Sequence, residues 1–326
     1  MAYRLVFHSH RVNCYRKSHP MKHYPILLTV ALGAMVACTS ATEEETEAPA
    51  ELGYQAYTIR ENFSDSASIY SALGQAGEMG FTLSESFGWN PMDNKFLGIS
   101  GANWKSMLHD HGQTSISGHY MPMELYGNEV KAIDTSIIPG MLDAATALGQ
   151  HWVIVPWMMP EWRNEAGAAE IAAFINAMGR QANARGMRAG YHNHDFEFLT
   201  FMADGSTMYD YLLAHCPREL VDFQMDLYWV SKAGHDPLTW FAQHPGRFVL
   251  WHVKDMDPID SALQVPVGQG QIDWLRIFAA REQAGMQHYF LEQDECQAGQ
   301  TAMECLKASS DYGKSALQPA VAVQPE

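Results

Sequence analysis

The sequence predicts an α/β fold, a (β/α)8 barrel, and two observations lead to it. Short apolar segments typical of strands alternate with helix-length segments along the chain, which is the pattern of a parallel α/β fold. Eight such strand–helix units fill about 260 residues, which is the usual size of this barrel. A doubly wound open sheet is the alternative. No glycine-rich phosphate loop follows the first strand, which disfavours nucleotide binding.

Each predicted element has local support. Strands are read from runs of β-branched and aromatic residues, and most helices end at a glycine such as Gly149 or Gly186. The predicted strands are 53–59, 81–87, 114–118, 151–156, 187–191, 221–225, 247–253 and 287–291. The predicted helices are 64–79, 103–111, 130–148, 168–185, 209–215, 237–244, 272–284 and 302–312.

The first fifty residues do not fit the barrel pattern. An apolar run from Pro25 to Ala37 follows a basic start and is too short to span a bilayer, so residues 1–37 are predicted to be a signal peptide region, with Met21 as a candidate true start. Cys38 resembles the lipid-bearing residue of a bacterial lipoprotein. Residues 38–51 then form an acidic tether that we expect to be disordered.

The residue after Cys38 favours one destination. By resemblance to Gram-negative lipoproteins, Thr39 in place of aspartate indicates lipid attachment to the outer membrane. The predicted barrel domain, residues 52–316, would then face the periplasm or the cell exterior. Residues 317–326 lose apolar periodicity and are expected to form a disordered tail.

Net charge argues against one class of partner. The formal charge is −16, and removing the five basic residues of 1–37 changes it to −21. Such a surface repels the phosphates of nucleic acids, so we expect no nucleic-acid partner. The oligomeric state is left open.

The cysteines exclude one kind of metal site. Beyond Cys38, only Cys216, Cys296 and Cys305 remain, and no CxxC pair occurs, which disfavours a cysteine zinc site. In an oxidising compartment Cys296 and Cys305 could pair and leave Cys216 free, but spacing alone leaves the pairing open.

Polar residues stand where the predicted strands end, and in a barrel these ends converge on one mouth. They are Glu85, His119, His192, Asp226, His252 and Glu292. Taken singly, a strand-end aspartate usually caps the next helix and a strand-end histidine is usually only hydrogen bonded. Together, the metal ligands are predicted to be His192, Asp226, His252 and Glu292. Two imidazoles and two carboxylates suit a divalent cation: Mn²⁺ is the expected ion, and Zn²⁺ or Mg²⁺ the alternatives.

From residue 53 to about residue 316 the chain resembles the xylose isomerase-like TIM-barrel superfamily, the sugar phosphate isomerase/epimerase and endonuclease IV group. The resemblance is carried by segments 53–60, 191–198, 225–229, 233–237, 252–255, 267–274 and 289–294. In that superfamily a metal is held by Glu, Asp, His and Glu after strands five to eight. Asp226, His252 and Glu292 match this pattern, and His192 stands where the first glutamate is expected.

The resemblance implies a metal-dependent sugar isomerase or epimerase that removes a proton next to a carbonyl. Glu292, or His194 near it, would act as the base, and Lys254 would supply positive charge to the developing oxyanion. Glu85 and His119 would hold hydroxyls or act as the opposing acid. Gln55, Trp157 and Trp229 are expected to bind the carbohydrate, although core packing is an alternative for each tryptophan.

Three other functions fit parts of the sequence. A lyase or hydrolase of 3-keto-glycosides could use the same barrel, and a non-catalytic carbohydrate-binding lipoprotein would bind sugar without turnover. Endonuclease IV-like DNA repair is disfavoured because it needs a basic groove and more metal-binding histidines. Because the chain has an export signal, free sugars, oxidised glycosides or inositol-like compounds are favoured over phosphorylated sugars as substrates.

Overall fold

The computed structural model describes residues 51–122, 125–126, 129–130 and 133–322. The predicted signal peptide, Cys38 and the tether up to residue 50 lie outside the described residues, as do residues 323–326. The described barrel falls in one compact unit, Ala48–Glu326. None of the helices in the described part of the chain is long and apolar enough to cross a membrane.

Eight parallel strands form the barrel, which confirms the predicted fold. They are β1 Gly53–Gln55, β2 Leu83–Glu85, β3 Ser117–His119, β4 Trp152–Val155, β5 Arg188–His192, β6 Val221–Asp226, β7 Leu250–Val253 and β8 His288–Leu291. Their order in the sheet is β2-β1-β8-β7-β6-β5-β4-β3. Two isolated parallel bridges, Leu83 with Thr114 and Ser86 with Gly118, bring β2 against β3 and nearly close the ring.

Helices surround the strands. They are α1 Ser66–Glu78, α2 Gly101–Asp110, α3 Ile138–Leu148, α4 Glu165–Asn183, α5 Phe196–Leu199, α6 Met208–His215, α7 Leu227–Lys232, α8 Pro237–Gln243, α9 Trp274–Ala279, α10 Arg281–Ala284, α11 Ala302–Tyr312 and α12 Gln318–Ala322. A large apolar core packs between strands and helices. Because strand side chains alternate, this core takes every second strand residue, such as Trp251 and Val253 of β7.

The remaining strand residues fill the barrel in layers. A small apolar cluster includes Ile154, Leu250 and Phe290, whereas His252 and Glu292 lie two positions further along their strands. Gly190 allows close packing here, because a Cβ at this position would lie 2.4 Å from the Cδ1 atom of Ile154. The apolar plug therefore supports a polar layer at the carboxyl ends of the strands, where ligands bind in such barrels.

Some boundaries differ from the predictions for local reasons. β1 ends at Gln55 because its side chain accepts a hydrogen bond from the Tyr57 amide and starts a 3₁₀ turn, Ala56–Asn62. The helix predicted from residue 130 begins at Ile138, with a proline in its first turn, after a 3₁₀ turn capped by Asp134. Residues 317–322, expected to be disordered, are helical, and the buried Leu317 packs in the core.

Candidate functional site

Four predicted ligands meet at the mouth of the barrel. His192 ends β5, Asp226 ends β6 and pairs in register with His252 of β7, and Glu292 directly follows β8. We call these four residues the strand-end cluster. All are at most 5% exposed. Ligand atoms of Asp226, His252 and Glu292 lie within 4.8 Å of one another, and the His192 Nε2 atom lies 3.7 Å from the Asp226 Oδ2 atom.

The two carboxylate oxygens of Asp226 have different contacts, one with a helix and one with the strand-end cluster. Its Oδ1 atom accepts a hydrogen bond from the Trp229 backbone amide at 3.0 Å and caps α7, a helix that was not among the predicted ones. Its Oδ2 atom accepts no hydrogen bond and faces His192 and Lys254 instead. Burial raises the pKa of Asp226 to about 6, even though Lys254 opposes this effect. The expected capping role and the expected ligand role are therefore compatible.

Glu85 lies beneath the cluster, where it accepts hydrogen bonds from several side chains. Its Oε1 atom accepts the Ser117 hydroxyl at 2.6 Å and the Gln224 amide at 2.7 Å, and its Oε2 atom accepts the Gln55 amide at 2.7 Å. The His252 and His119 Nε2 atoms lie 2.5 Å and 3.1 Å from the same Oε2 atom. Burial alone would raise the pKa of Glu85, but the two histidines hold it well below its usual range.

This environment favours a supporting role for two residues that were predicted to contact the substrate. Glu85 and Gln55 are both 0% exposed and do not line the mouth pocket. Their polar atoms are taken up by protein partners: the Gln55 amide donates to Glu85 and lies 3.4 Å from the His119 Nδ1 atom. In this arrangement neither residue is exposed to the pocket. They support the histidines instead.

Gln224, which was not among the predicted site residues, fixes the orientation of two imidazoles. Its Nε2 atom donates to Glu85, so its Oε1 atom faces the histidines, 2.8 Å from His119 Nε2 and 3.1 Å from His192 Nδ1. An oxygen in this position requires N–H donors on both rings. The His192 Nε2 atom therefore carries its lone pair toward Asp226. Burial, followed by the charge of His252, lowers the pKa of His192 well below its ordinary value, so the ring is neutral.

His252 is held between two carboxylates. Its Nδ1 atom contacts Glu292 and its Nε2 atom contacts Glu85. Burial lowers the pKa of His252, but Glu292 and Glu85 outweigh burial and raise the pKa to about 10.

Lys254 brings a buried positive charge to the same carboxylates. Its Nζ atom lies 3.1 Å from Asp226 Oδ2 and 3.0 Å from Glu292 Oε2, and 3.0 Å from Asp294 Oδ2. Burial lowers the pKa of Lys254, but Asp226, Asp294 and Glu292 raise it well above its ordinary value. The predicted positive charge at residue 254 is present and balanced by acids.

A pocket of about 550 Å³ opens above the cluster. Polar side chains of His119, His192, Lys254 and Glu292 line it, together with predicted sugar-binding residues Trp157 and Trp229. Further wall residues are Tyr57, Arg60, Phe87 and Tyr228. Aromatic walls over a polar floor are suited to a ligand with apolar faces and hydroxyl edges, such as a carbohydrate.

His194 also lines this pocket, with its ring centroid 5.2 Å from that of Trp229. Burial, with Lys254, lowers the pKa of His194 to about 3, so its imidazole is neutral. Its backbone amide donates to Glu197 at 2.8 Å, and Glu197 also accepts the Tyr191 hydroxyl at 2.6 Å. Glu197 thus anchors the turn that presents His194.

The cluster can hold a divalent metal. The Asp226 Oδ2 atom accepts no hydrogen bond and faces the Lys254 ammonium group at 3.1 Å, the His192 Nε2 lone pair faces the same oxygen, and a ligand atom of Glu292 lies within 4.8 Å of a ligand atom of Asp226. A second group, His119, His192 and His252, is also close enough, but the His119 Nε2 atom already contacts Gln224 and Glu85. The strand-end cluster is therefore the better fit, with a nitrogen and oxygen set that could hold a divalent cation.

A family model described as xylose isomerase-like TIM barrel matches residues 73–308. The chain belongs to this family. In the family's barrel, the strand-end cluster occupies the carboxyl-terminal mouth, which is where TIM-barrel enzymes carry their active sites. No curated protein matches the chain.

Solved structures give the same fold. A sugar phosphate isomerase/epimerase from Parabacteroides distasonis is 25% identical, with a TM-score of 0.73 over 87% of this chain and 99% of that one. An IolI protein with a zinc atom is 14% identical, with a TM-score of 0.61 over 83% and 98%. A D-allulose 3-epimerase from Methylomonas sp., in complex with D-allulose, is 13% identical, with a TM-score of 0.60 over 80% and 95%.

This xylose isomerase-like barrel also holds a disulfide. Cys296 and Cys305 are bonded across the loop after β8, and Cys216 is free and buried. Sequence spacing left this pairing open. Cys296 lines the mouth pocket, so the disulfide fastens one pocket wall to α11.

Two site residues that were not predicted could have been found with a simple rule. Gln224 precedes Asp226 by two positions, and Asp294 follows Glu292 by two. Side chains two apart on a strand share a face. Applying this rule to each strand-end ligand would have identified Gln224 in β6, and it points to Asp294 as well, although Asp294 follows the end of β8.

Proposed function

We propose that this family member is a metal-dependent sugar isomerase or epimerase, acting on a sugar, keto-sugar or inositol-like substrate by proton abstraction next to a carbonyl. The observation that carries the proposal is the strand-end cluster, with Lys254, at the floor of an aromatic-walled pocket. The structural neighbours described as a sugar phosphate isomerase/epimerase and a D-allulose 3-epimerase support the same reaction class.

His192, Asp226, His252 and Glu292 would hold the ion, Mn²⁺ by preference, with Zn²⁺ or Mg²⁺ as alternatives. The bound ion would stabilise negative charge that develops on substrate oxygen. For His252 to donate a lone pair, its proton must leave, and metal binding is therefore coupled to proton release.

The protein's own groups would handle the proton. Glu292 lines the pocket and is the proposed base, because His194, with a pKa lowered to about 3, is a weak proton acceptor at neutral pH. Lys254 would donate to, or electrostatically stabilise, the oxyanion. His119 would contact a substrate hydroxyl, and Trp157 and Trp229 would contact the sugar faces, which would exclude water from the reacting carbon.

A lyase or hydrolase of 3-keto-glycosides is the second proposal, and the pocket volume favours it. About 550 Å³ falls within the range of roughly 300–1,000 Å³ typical of pockets for drug-sized ligands, which accommodates an aglycone beside a sugar ring. Both reactions begin with proton removal next to a carbonyl. They differ in whether a group then leaves.

One experiment tests the reaction class. Metal analysis of the purified protein is followed by NMR in D₂O with free sugars, inositols and 3-keto-glycosides. We expect a bound divalent metal and deuterium incorporation beside the carbonyl, and aglycone release would select the second proposal. Sugar binding without exchange or turnover in the presence of Mn²⁺ would indicate a non-catalytic carbohydrate-binding protein instead.

A matched pair of variants tests the ligand set. Asp226→Asn should lower metal occupancy and turnover by at least about tenfold, because the substitution removes a buried anionic ligand. The exposed Asp93→Asn changes charge equally and should leave both unchanged. Full activity of metal-stripped wild-type protein would refute the metal requirement.

We also propose that the chain is exported and lipid-anchored to the outer membrane through Cys38. The basic and apolar segment before Cys38, followed by Thr39, supports this destination. Cys38→Ala should abolish labelling by a radioactive fatty acid and release the protein from the membrane fraction. Unchanged labelling of the variant would refute attachment at this residue.

A further inference from the structure

Lys254 contacts the same oxygen atoms that the strand-end cluster would offer to a metal. Its Nζ atom lies 3.1 Å from Asp226 Oδ2 and 3.0 Å from Glu292 Oε2. Lys254 is 2% exposed, so its ammonium group depends mainly on the neighbouring carboxylates for partners. The ammonium group and a divalent ion therefore depend on one pair of carboxylate oxygens.

Two cations on the same pair of oxygens would repel each other. A metal ligated by these carboxylates would lie about 2.0–2.2 Å from each oxygen. At that distance the ion would repel the ammonium group that forms ion pairs with the same atoms, and this repulsion is only weakly screened in a buried site. Lys254 thus opposes metal entry, and the repulsion favours its movement away from Asp226 and Glu292.

Asp294 gives Lys254 a second place to bind. The Nζ atom already lies 3.1 Å and 3.0 Å from the Asp294 Oδ1 and Oδ2 atoms. Gln264 fixes this carboxylate, since its amide donates to Asp294 Oδ2 at 2.7 Å and its Oε1 atom accepts the Asp294 backbone amide at 2.7 Å. Asp294 is therefore held in position to retain the ammonium group.

We propose that Lys254 is a built-in competitor of the metal at Asp226 and Glu292, and that Asp294 is the carboxylate to which it withdraws when the metal binds. This inference rests on the metal dependence proposed above. On this proposal, removing the Lys254 charge should strengthen metal binding and removing the Asp294 charge should weaken it, although the two side chains form an ion pair with each other. If the ion pair only stabilised the structure, both substitutions should change the metal affinity in the same direction.

The test is the affinity of the purified protein for Mn²⁺, measured by isothermal titration calorimetry with Zn²⁺ as a second probe. Lys254→Met removes the competitor and should lower the dissociation constant by at least about tenfold. Asp294→Asn leaves Lys254 with only Asp226 and Glu292 and should raise it by about tenfold. The exposed pair Lys307 and Asp311, bonded at 2.5 Å on α11, supplies the controls Lys307→Met and Asp311→Asn, which should match wild type.

The outcomes separate this inference from the proposed function. If wild type binds Mn²⁺ and Lys254→Met binds it equally or more weakly, the competition is refuted while the metal site stands. If neither protein binds either ion, both proposals fail. Circular dichroism checks folding, and should Lys254→Met not fold, Lys254→Gln replaces it with the same expected sign.

Discussion

Glu85→Gln is the change that tests how the site is supported. The two side chains have nearly the same shape, so the substitution creates no cavity. It replaces one acceptor oxygen by a donor NH₂ group where five side chains converge: Ser117, Gln224, Gln55, His252 and His119. In at least two of these contacts, one hydrogen-bond donor would then face another donor.

The magnitude follows from burial. Glu85 is 0% exposed, so water cannot replace a lost acceptor. Hydrogen bonds to a charged group contribute about 1.5–3 kcal/mol each, and removing one member of a buried ion pair costs about 3–5 kcal/mol. Ser117 can rotate its hydroxyl and recover part of this loss. We therefore expect the free energy of unfolding to fall by about 3–5 kcal/mol, or roughly 10 °C in Tm.

The substitution should also weaken metal binding. If the Gln224 amide rotates to meet the new NH₂ group, its own NH₂ group faces His192 and the Nδ1–H tautomer is no longer favoured. The His192 Nε2 lone pair is then no longer presented toward Asp226. Urea denaturation with a chelator present measures the stability change, and calorimetric titration with Mn²⁺ measures the affinity.

The exposed Glu170→Gln on α4 is the matched control and should shift stability by less than about 0.5 kcal/mol. A loss within 1 kcal/mol of that control for Glu85→Gln would show that the convergent hydrogen bonds do not stabilise the fold. Unchanged Mn²⁺ affinity would show that Gln224 does not select the His192 tautomer.

Two further predictions concern other residues. Burial raises the pKa of Glu197 from 4.5 to about 8, so its contribution to stability is fully present below pH 4.5 and lost by pH 8; at about 1.4 kcal/mol per pKa unit this is at most about 5 kcal/mol. Glu197→Gln should therefore reduce the fall in Tm between pH 4.5 and pH 8. A fall in Tm equal to that of wild type over this range would contradict the prediction. Cys305→Ser opens the Cys296–Cys305 loop and should cost about 2–3 kcal/mol, measured as loss of Tm against wild type in the absence of reductant; equal Tm values would show that the crosslink adds no stability.

The fold was predictable because its signals are local. Apolar strand segments and helix-ending glycines such as Gly149 and Gly186 follow from backbone preferences of neighbouring residues. The predicted ends of strands and helices were wrong where a side-chain hydrogen bond determines them, as at Gln55, which starts a turn and ends β1 early. α7 is a short helix of six residues, and it was not predicted, although Asp226 supplies its cap.

The grouping of the four predicted ligands could also be predicted from the sequence, whereas the residues that support them could not. His192, Asp226, His252 and Glu292 are recognised by type and by position at strand ends. The roles of Glu85 and Gln55 depend on depth in the barrel and on which strands adjoin. Gln55 pairs in register with Glu85, and neighbouring side chains cover both. Sequence gives no direct measure of that depth.

His192 and Lys254 together explain the charge balance of the site. A carboxylate at 192, as the resemblance leads one to expect, would place three anionic ligands around one position and favour a dication strongly. With a neutral imidazole there, Asp226 and Glu292 are the anions that would face a bound ion, and the Lys254 ammonium group contacts both. The site can thus be balanced by the protein's own charge, and a metal must compete for it. If the proposed metal site is correct, His192 and Lys254 would therefore act in the same direction, toward weaker and more readily exchanged metal.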